Sequence, residues 1–341
     1  MSVTSDDGVR FYLDGKLLVD SWFDRGETAD YLTRNLEAGK QYDLRIEYYE
    51  NMGGAAARFG WDYREGADAE LQEAIDAARK SDVAVIVAGI LEGEGRDRAD
   101  LNLSESQENL IDAVAATKTP TIVVLMTGSA VTMNKWIEKV PAILQPWYAG
   151  EEGGTAIAEA LFGDYSPGGK LPITFPQSVG QVPLYYNNKP TGRGDDYITV
   201  SGKPLFPFGY GLSYTSFEYS NLQITPAQIT ASDEVSITAD IKNGGAVRGD
   251  EIVQLYTHLP VASVTRPWKE LKGFKRISLE PGATKTVKFT LSRKSLEFLD
   301  RNLKPVVEPG TVELMVGASS ADIRLNGGLT IVDKSASKKH K

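Results

Sequence analysis

The chain of 341 residues contains no cysteine. Disulfide staples and thiolate nucleophiles are excluded, a state compatible with any compartment. It has only two histidines, too few for a histidine-based metal centre, and His258 reads as structural. Basic residues are in deficit: 37 Lys and Arg against 46 Asp and Glu give a net charge of −9. The bases form no dense stripe outside the C-terminal tail, so no nucleic-acid partner is expected. No uncharged apolar run approaches the roughly 20 residues of a membrane helix, so no membrane partner is expected either. The opening Met1 to Asp7 is polar where a secretory leader needs an apolar region. The compartment therefore stays open.

What is present is a globular composition, 41% hydrophobic and 24% charged, on a chain long enough for two or three domains. Residues 1–64 alternate with period two: Val9, Phe11 and Leu13 lead through the hairpin dipeptide Asp14-Gly15 to Leu17 and Val19, and Tyr42, Leu44, Ile46 and Tyr48 repeat the pattern. Strands without an obvious start predict half of a β-barrel. Residues 65–176 change period. An amphipathic helix through Leu71, Ile75 and Ala78 precedes the apolar run Val83 to Val87, then a capping box at Ser104 to Gln107 opens a second helix. Strands at Thr121 to Met126 and Ala142 to Gln145 and a helix at Thr155 to Phe162 complete a parallel sheet expected to be covered on both faces. Residues 177–216 form a Pro-, Gly- and Tyr-rich connector whose aromatics are expected to glue domains together. Residues 217–333 alternate again, with turns at Pro281-Gly282 and Pro309-Gly310, as in an immunoglobulin-sized β-sandwich. Residues 334–341 are a basic tail.

The chemistry concentrates in Gly89-Ile90-Leu91-Glu92-Gly93-Glu94-Gly95-Arg96-Asp97-Arg98. Bare carboxylates among glycines directly after a buried-looking strand display an acid rather than fill a core, and such strand ends face the ligand crevice of α/β sheets. A dinucleotide fingerprint does not fit, because Arg98 replaces the third glycine and two acids would face a pyrophosphate.

Several stretches resemble the C-terminal half of glycoside hydrolase family 3 enzymes, a family that includes many β-glucosidases. Glu94 to Arg98 is similar to the family's acid/base loop. Ala149 to Gly154, Pro167 to Pro172 and Pro207 to Tyr214 are similar to further family stretches, and Arg266 to Phe274 resembles its fibronectin type III-like domain. Asp6 to Gly15 resembles the second half of a protective-antigen-type β-barrel inserted in some members. The implied fold is multidomain α/β plus β: a partial β-barrel, a parallel α/β sandwich and a C-terminal fibronectin type III-like β-sandwich.

The resemblance implies retaining hydrolysis of β-glucosides or oligosaccharides from the nonreducing end by two carboxylates, with no cofactor or metal. Glu94 is then the acid/base. The nucleophile belongs to an N-terminal (β/α)8 barrel, the expected partner as a domain or separate chain, and the isolated chain is expected to be inactive. A homo-oligomer stays open. Glu92 is read as a neighbour rather than a catalyst. Asp97 and Arg98 are expected to brace the loop as an ion pair or touch sugar, the arginines pointing toward Asp97 or Asp100. Trp22 and Phe23 follow the first hairpin and would either stack on a sugar ring or anchor a loop; Trp147 and Tyr148 stand between crevice and packing. Departures from the family pattern are Arg96, for an aromatic or apolar residue, and Ser104, for a proline; they put the sugar preference in doubt. Two other readings are a noncatalytic carbohydrate-binding protein, Asp6-Asp7 being similar to the calcium-binding pair of lectin-type relatives, and an inactive fragment.

Overall fold

The computed structural model describes residues 1–37, 39–61, 67–95, 97–192 and 197–333. Arg96, the tail 334–341 and the expected boundary at 64/65 lie outside the described residues. The chain divides into two compact units, Met1–Glu73 and Ala74–Lys341.

The first unit contains β1 (Ser2–Ser5), β2 (Val9–Leu13), β3 (Lys16–Ser21), β4 (Thr28–Tyr31), β5 (Leu44–Tyr48) and β6 (Ala57–Gly60). They form two antiparallel sheets, ordered β4-β1-β6 and β3-β2-β5. The alternation read from the sequence has its cause here: Val3, Val9 and Phe11 point into one small core. The hairpin dipeptide behaves as its chemistry dictates, Asp14 and Gly15 both adopting positive φ, 48° and 73°. Two such residues twist the turn to match right-handed strands.

The second unit begins within α1 (Ala67–Arg79), the helix that carries the divide at Glu73. Strands β7 (Ala84–Gly89), β8 (Thr121–Met126) and β9 (Ala142–Leu144) pair in parallel in the order β7-β8-β9. Helix α2 (Glu105–Ala115) buries Ile111 and Val114 with Ile86, Ala88, Val123 and Leu125 of the sheet and the fully buried Trp136. Helix α3 (Gly153–Phe162) stops at Gly163, whose φ of 83° is the left-handed cap that glycine adopts without strain. One expectation fails: β7 is not buried on both faces. Val85 and Val87 are 49% and 66% exposed while Ile86 and Ala88 are buried. The two pairs point to opposite faces of this edge strand, and only the face of Ile86 and Ala88 is covered by the core around α2.

The connector is more regular than its composition predicts. Leu171 N donates to Tyr210 O at 2.8 Å, Gly209 N to Leu171 O at 2.8 Å, and Phe175 N to Phe206 O at 2.9 Å. The two Pro- and Gly-rich stretches thus zip together antiparallel. Tyr186 stacks on Phe208, centroids 4.2 Å apart, and meets Tyr256 edge-on at 5.9 Å, so part of the aromatic content does join domains as expected.

The C-terminal sandwich comprises β10 (Phe217–Thr225), β11 (Gln228–Thr230), β12 (Val235–Asn243), β13 (Gly249–His258), β14 (Glu270–Leu279), β15 (Thr284–Leu291), β16 (Phe298–Leu299), β17 (Pro305–Val306), β18 (Gly310–Gly317) and β19 (Ile323–Val332), with a short helix α4 (Arg293–Leu296). Its sheets run β10-β12-β15 and β11-β19-β18-β13-β14. Val235, Ile237, Ala239 and Ile241 of β12 face Val253, Leu255, Val312 and Leu314 in one apolar core, as the alternation predicts. The sandwich is fastened to the connector by buried polar groups. Gln254 Nε2 donates to Gly209 O at 3.2 Å and Ala318 O at 2.7 Å, while the Tyr256 hydroxyl donates to Gln254 Oε1 at 2.5 Å. Lys170 Nζ lies 3.1 Å from the buried Glu251.

Replacing Gln254 by Leu strands two buried carbonyls and the Tyr256 hydroxyl, and leaving a buried polar group unsatisfied costs about 1–3 kcal/mol. The expected outcome is a fall of that order or more in urea-unfolding stability. An unchanged midpoint would show that the fastening is redundant.

Candidate functional site

The site is built at the C-terminal edge of the parallel sheet, where the segments leaving β7, β8 and β9 converge. The backbone of Gly89 is clamped by a side chain of α2: Gly89 N donates to Gln107 Oε1 at 2.8 Å, and Gln107 Nε2 donates to Gly89 O at 3.0 Å. This is half of the expected capping box. Ser104 does accept from Gln107 N, at 3.4 Å, but the glutamine amide turns to the strand end instead of back to the cap. The exposed edge of β7 supplies unpaired backbone groups, and an amide satisfies both in one bidentate contact.

Beyond Gly89 the chain enters the loop of acids. Glu92 and Glu94 stand two residues apart and have opposite surroundings. Glu92 is engaged on both oxygens. Its Oε1 accepts from Arg98 Nη2 at 2.9 Å and from the Ser129 hydroxyl in a shorter contact; its Oε2 accepts from Gly128 N at 2.7 Å. Gly128 and Ser129 follow β8, and Tyr148, following β9, donates its hydroxyl to Ile90 O at 2.6 Å. Glycine is required at 128, since a Cβ there would lie 2.6 Å from Glu92 Oε2 and 2.7 Å from a Tyr148 ring carbon. Partial burial alone would push the Glu92 pKa up. The Ser129 and Gly128 donors and the Arg98 charge outweigh it and hold the carboxyl below its ordinary value. Glu92 is therefore held as an anion by its neighbours.

Glu94 is exposed, and among the described residues no hydrogen bond or ion pair holds its carboxylate. It is followed by Gly95, whose φ of 73° turns the loop. The Glu92 and Arg98 side chains are only 18% and 23% exposed, so the two ends of the segment are packed down while the acid between them faces solvent.

The expected arginine pairing is different. Arg98 does brace the loop, but its partner is Glu92, with further bonds to Ser129 Oγ at 2.8 Å and Asn102 O at 3.3 Å. Asp97 is exposed and, among the described residues, unpaired. Asp100 instead accepts from Asn102 N at 2.9 Å. Glu92, Gln107, Ser129 and Tyr148 are the residues that sequence reasoning missed or undervalued. The sequence reads Gln107 as a cap, Glu92 as a neighbour and Tyr148 as standing between crevice and packing; Ser129 carries no local signal. Trp147 packs against Phe175 at 5.9 Å in the core, and His258 Nδ1 lies 2.8 Å from Pro267 O, a structural role.

Trp22 and Phe23 belong to the first unit. Trp22 is packed edge-on by Tyr49 at 4.8 Å and lies under the Arg10 guanidinium at 4.6 Å. Phe23 is more open, with Arg25 at 5.7 Å from its ring. Asp7 is buried and accepts from the backbone amides of Arg25, Asn51 and Met52 at 3.1, 2.6 and 3.0 Å. Both its oxygens thus hold backbone amides of the loops that follow β3 and β5.

The depressed Glu92 pKa has a signed consequence. A carboxylate favoured by the fold stabilises it above its unfolded pKa of about 4.3, and that contribution is lost as pH falls through the lower folded value. Glu92→Gln is expected to lower urea-unfolding stability at pH 7 by on the order of 1–3 kcal/mol, with the difference from wild type shrinking below about pH 4. A difference unchanged between pH 7 and pH 3 would contradict the charged network.

With that geometry established, comparison with known proteins is informative. The glycosyl hydrolase family 3 C-terminal domain matches residues 4–214, and the fibronectin type III-like domain matches residues 251–320. A β-xylosidase of Formosa agariphila is 48% identical over 254 residues, which cover 73% of this chain and 35% of that protein. A periplasmic β-glucosidase of Salmonella typhimurium is 40% identical over 269 residues, 75% of this chain and 35% of the relative. Among solved structures, a β-glucosidase from Listeria innocua in complex with glucose superposes with a TM-score of 0.75 at 32% identity, covering 80% of this chain and 39% of that one. The chain thus spans little more than a third of the length of these relatives. Through the match that runs from its first strands to the connector, the chain belongs to glycoside hydrolase family 3, as a C-terminal region with a fibronectin type III-like domain.

Proposed function

We propose that this chain supplies the acid/base carboxylate, Glu94, for retaining hydrolysis of β-glucosides or short β-linked oligosaccharides from the nonreducing end. The observation that carries the reading is the contrast within one loop: Glu92 is fully bonded, and Glu94, the residue on the family motif, stands exposed without a partner among the described residues. Proton transfer needs a carboxyl that can reach a substrate oxygen, and of the two only Glu94 is exposed and unbonded among the described residues.

In this reading Glu94 donates its proton to the glycosidic oxygen as an aspartate attacks the anomeric carbon, releasing the leaving group and forming a glycosyl ester. Glu94 then takes a proton from water, whose oxygen displaces the ester and restores both carboxyls with retention. The two carboxyls must come to about 5–5.5 Å of each other. The attacking aspartate belongs to a (β/α)8 barrel outside this chain, as a domain of a longer protein or a separate chain. Arg98 supports the loop. Asp97 serves as a loop-supporting or sugar-contacting residue, Trp22 and Phe23 are candidates for stacking on a sugar ring, Phe23 with the more open ring, and residues 1–64 form part of a protective-antigen-type barrel. The proposed domain limits are 1–64, 65–176, 177–216 and 217–333. Relatives named as a xylosidase and a glucosidase support a β-linked sugar without choosing between the two.

General acid assistance contributes on the order of 10² to 10⁴-fold, far short of what glycoside cleavage requires. The purified 341-residue chain is therefore expected to hydrolyse no aryl β-glucoside. Co-expression with a family barrel should restore turnover, and Glu94→Gln in that assembly should remove most of it for unactivated substrates. Turnover by the isolated chain that Glu94→Gln abolishes would refute the divided site. Full activity of the Glu94→Gln assembly would refute the acid/base assignment.

A further inference from the structure

We propose that Glu92 is the positioning residue of this site: by holding Arg98 and the turn after β8, it fixes the segment that presents Glu94. This rests on the acid/base reading of Glu94 and adds to it the means by which a proton donor on an exposed glycine loop keeps its geometry.

Three observations converge. The Glu92 to Arg98 contact, 2.9 Å, joins the two ends of the segment 93–97, which contains Glu94 and Gly95. Closing so short a segment removes most of the freedom its glycines would otherwise keep. Both ends of that closure are tied to a rigid element. Ser129 Oγ bonds to Glu92 and receives Arg98 Nη2 at 2.8 Å, Gly128 N reaches Glu92 at 2.7 Å, and Arg98 Nη1 reaches Asn102 O at 3.3 Å. Finally, the entry to the loop is pinned by Tyr148, whose hydroxyl donates to Ile90 O at 2.6 Å and to Glu92 Oε2 at 3.3 Å, and by Gln107 on both polar groups of Gly89. The free acid is thus the tip of a loop held at its root, at its two ends and at the neighbouring turn.

The charge arrangement serves the same purpose. Arg98, four residues from Glu94, is a cation that would otherwise seek the nearest carboxylate. Glu92 takes it, with side chains on both partners mostly shielded. Ion pairs with additional donors in so little exposed a setting hold geometry, whereas exposed pairs contribute little. A catalytic group misplaced by about 1 Å can lose on the order of 10² in rate.

The test uses the assembly of this chain with its barrel and two aryl β-glucosides, one with a 2,4-dinitrophenyl leaving group that departs without a proton and one with a phenyl group that needs it. Glu92→Gln removes the charge that holds Arg98. Gly128→Ala, a second and independent disruption, forces a methyl against Glu92 Oε2. Each is expected to lower kcat/KM for the phenyl glucoside about 10- to 100-fold and to change kcat/KM for the dinitrophenyl glucoside by less than about 3-fold, because that ratio reports formation of the glycosyl ester, the step in which only the phenyl group needs a proton. The double variant Glu92→Gln, Glu94→Gln should be no slower than Glu94→Gln, because both changes act on one group. In the chain by itself, hydrogen exchange of residues 90–98 should rise in Glu92→Gln, with exchange in the C-terminal sandwich unchanged.

Equal losses of kcat/KM on both substrates, or additive losses in the double variant, would overturn the positioning role. Leaving-group discrimination in Glu94→Gln but none in Glu92→Gln would overturn the role of Glu92 alone. Absence of discrimination in Glu94→Gln itself would overturn the acid/base reading and this inference with it.

Discussion

A carboxyl that must both hold and release a proton cannot also be a structural anion. In the function proposed for this chain, that constraint divides the work between Glu92 and Glu94. A loop carrying two glutamates and at least one nearby arginine has to decide which acid is consumed by the cation. Here Glu92 is consumed: Arg98, Ser129 and Gly128 saturate its oxygens and hold it ionised. Glu94 is left bare, two residues away on the same turn. Had Arg98 paired with Glu94 instead, the cation would favour the ionised form of that carboxyl, against the proton-donor role proposed for it.

The rest of the architecture supplies the fixed points this requires. Parallel strands end in register, so the segments following β7, β8 and β9 emerge together at one edge. Gln107 anchors the first of them, and the glycine at 128 allows the second to approach within hydrogen-bond distance of Glu92. Behind the sheet, Trp136, Ile111 and Leu125 form a dense core that keeps these ends from drifting. The zipped connector and the Gln254 and Lys170 contacts carry that rigidity into the β-sandwich. Buried polar fastenings of this kind specify one arrangement, because any other leaves their groups unsatisfied.

Much of this was legible in the residue order. Alternation in Val235 to Ile241, the Asp14-Gly15 turn, the helix stop at Gly163 and the exposed position of Glu94 each follow from period or backbone chemistry acting within a few residues. Other features were misread for a common reason. Arg98 was expected to turn to Asp97 or Asp100, its neighbours in sequence, and Gln107 to fold back on Ser104. Both side chains instead took partners on other elements. The run Val83 to Val87 looked like a strand buried on both faces, since hydrophobicity alone cannot tell a central strand from an edge.

The sequence by itself determined where strands, helices and turns occur, that a carboxylate loop follows the first parallel strand, and which family the chain resembles, because period and motif are local properties. Only the tertiary structure decided which glutamate is bonded and which is bare. The partners that settle it lie far along the chain, Ser129 being 37 residues from Glu92 and Tyr148 being 58 residues from Ile90, and the fold alone brings such distant groups within hydrogen-bond reach.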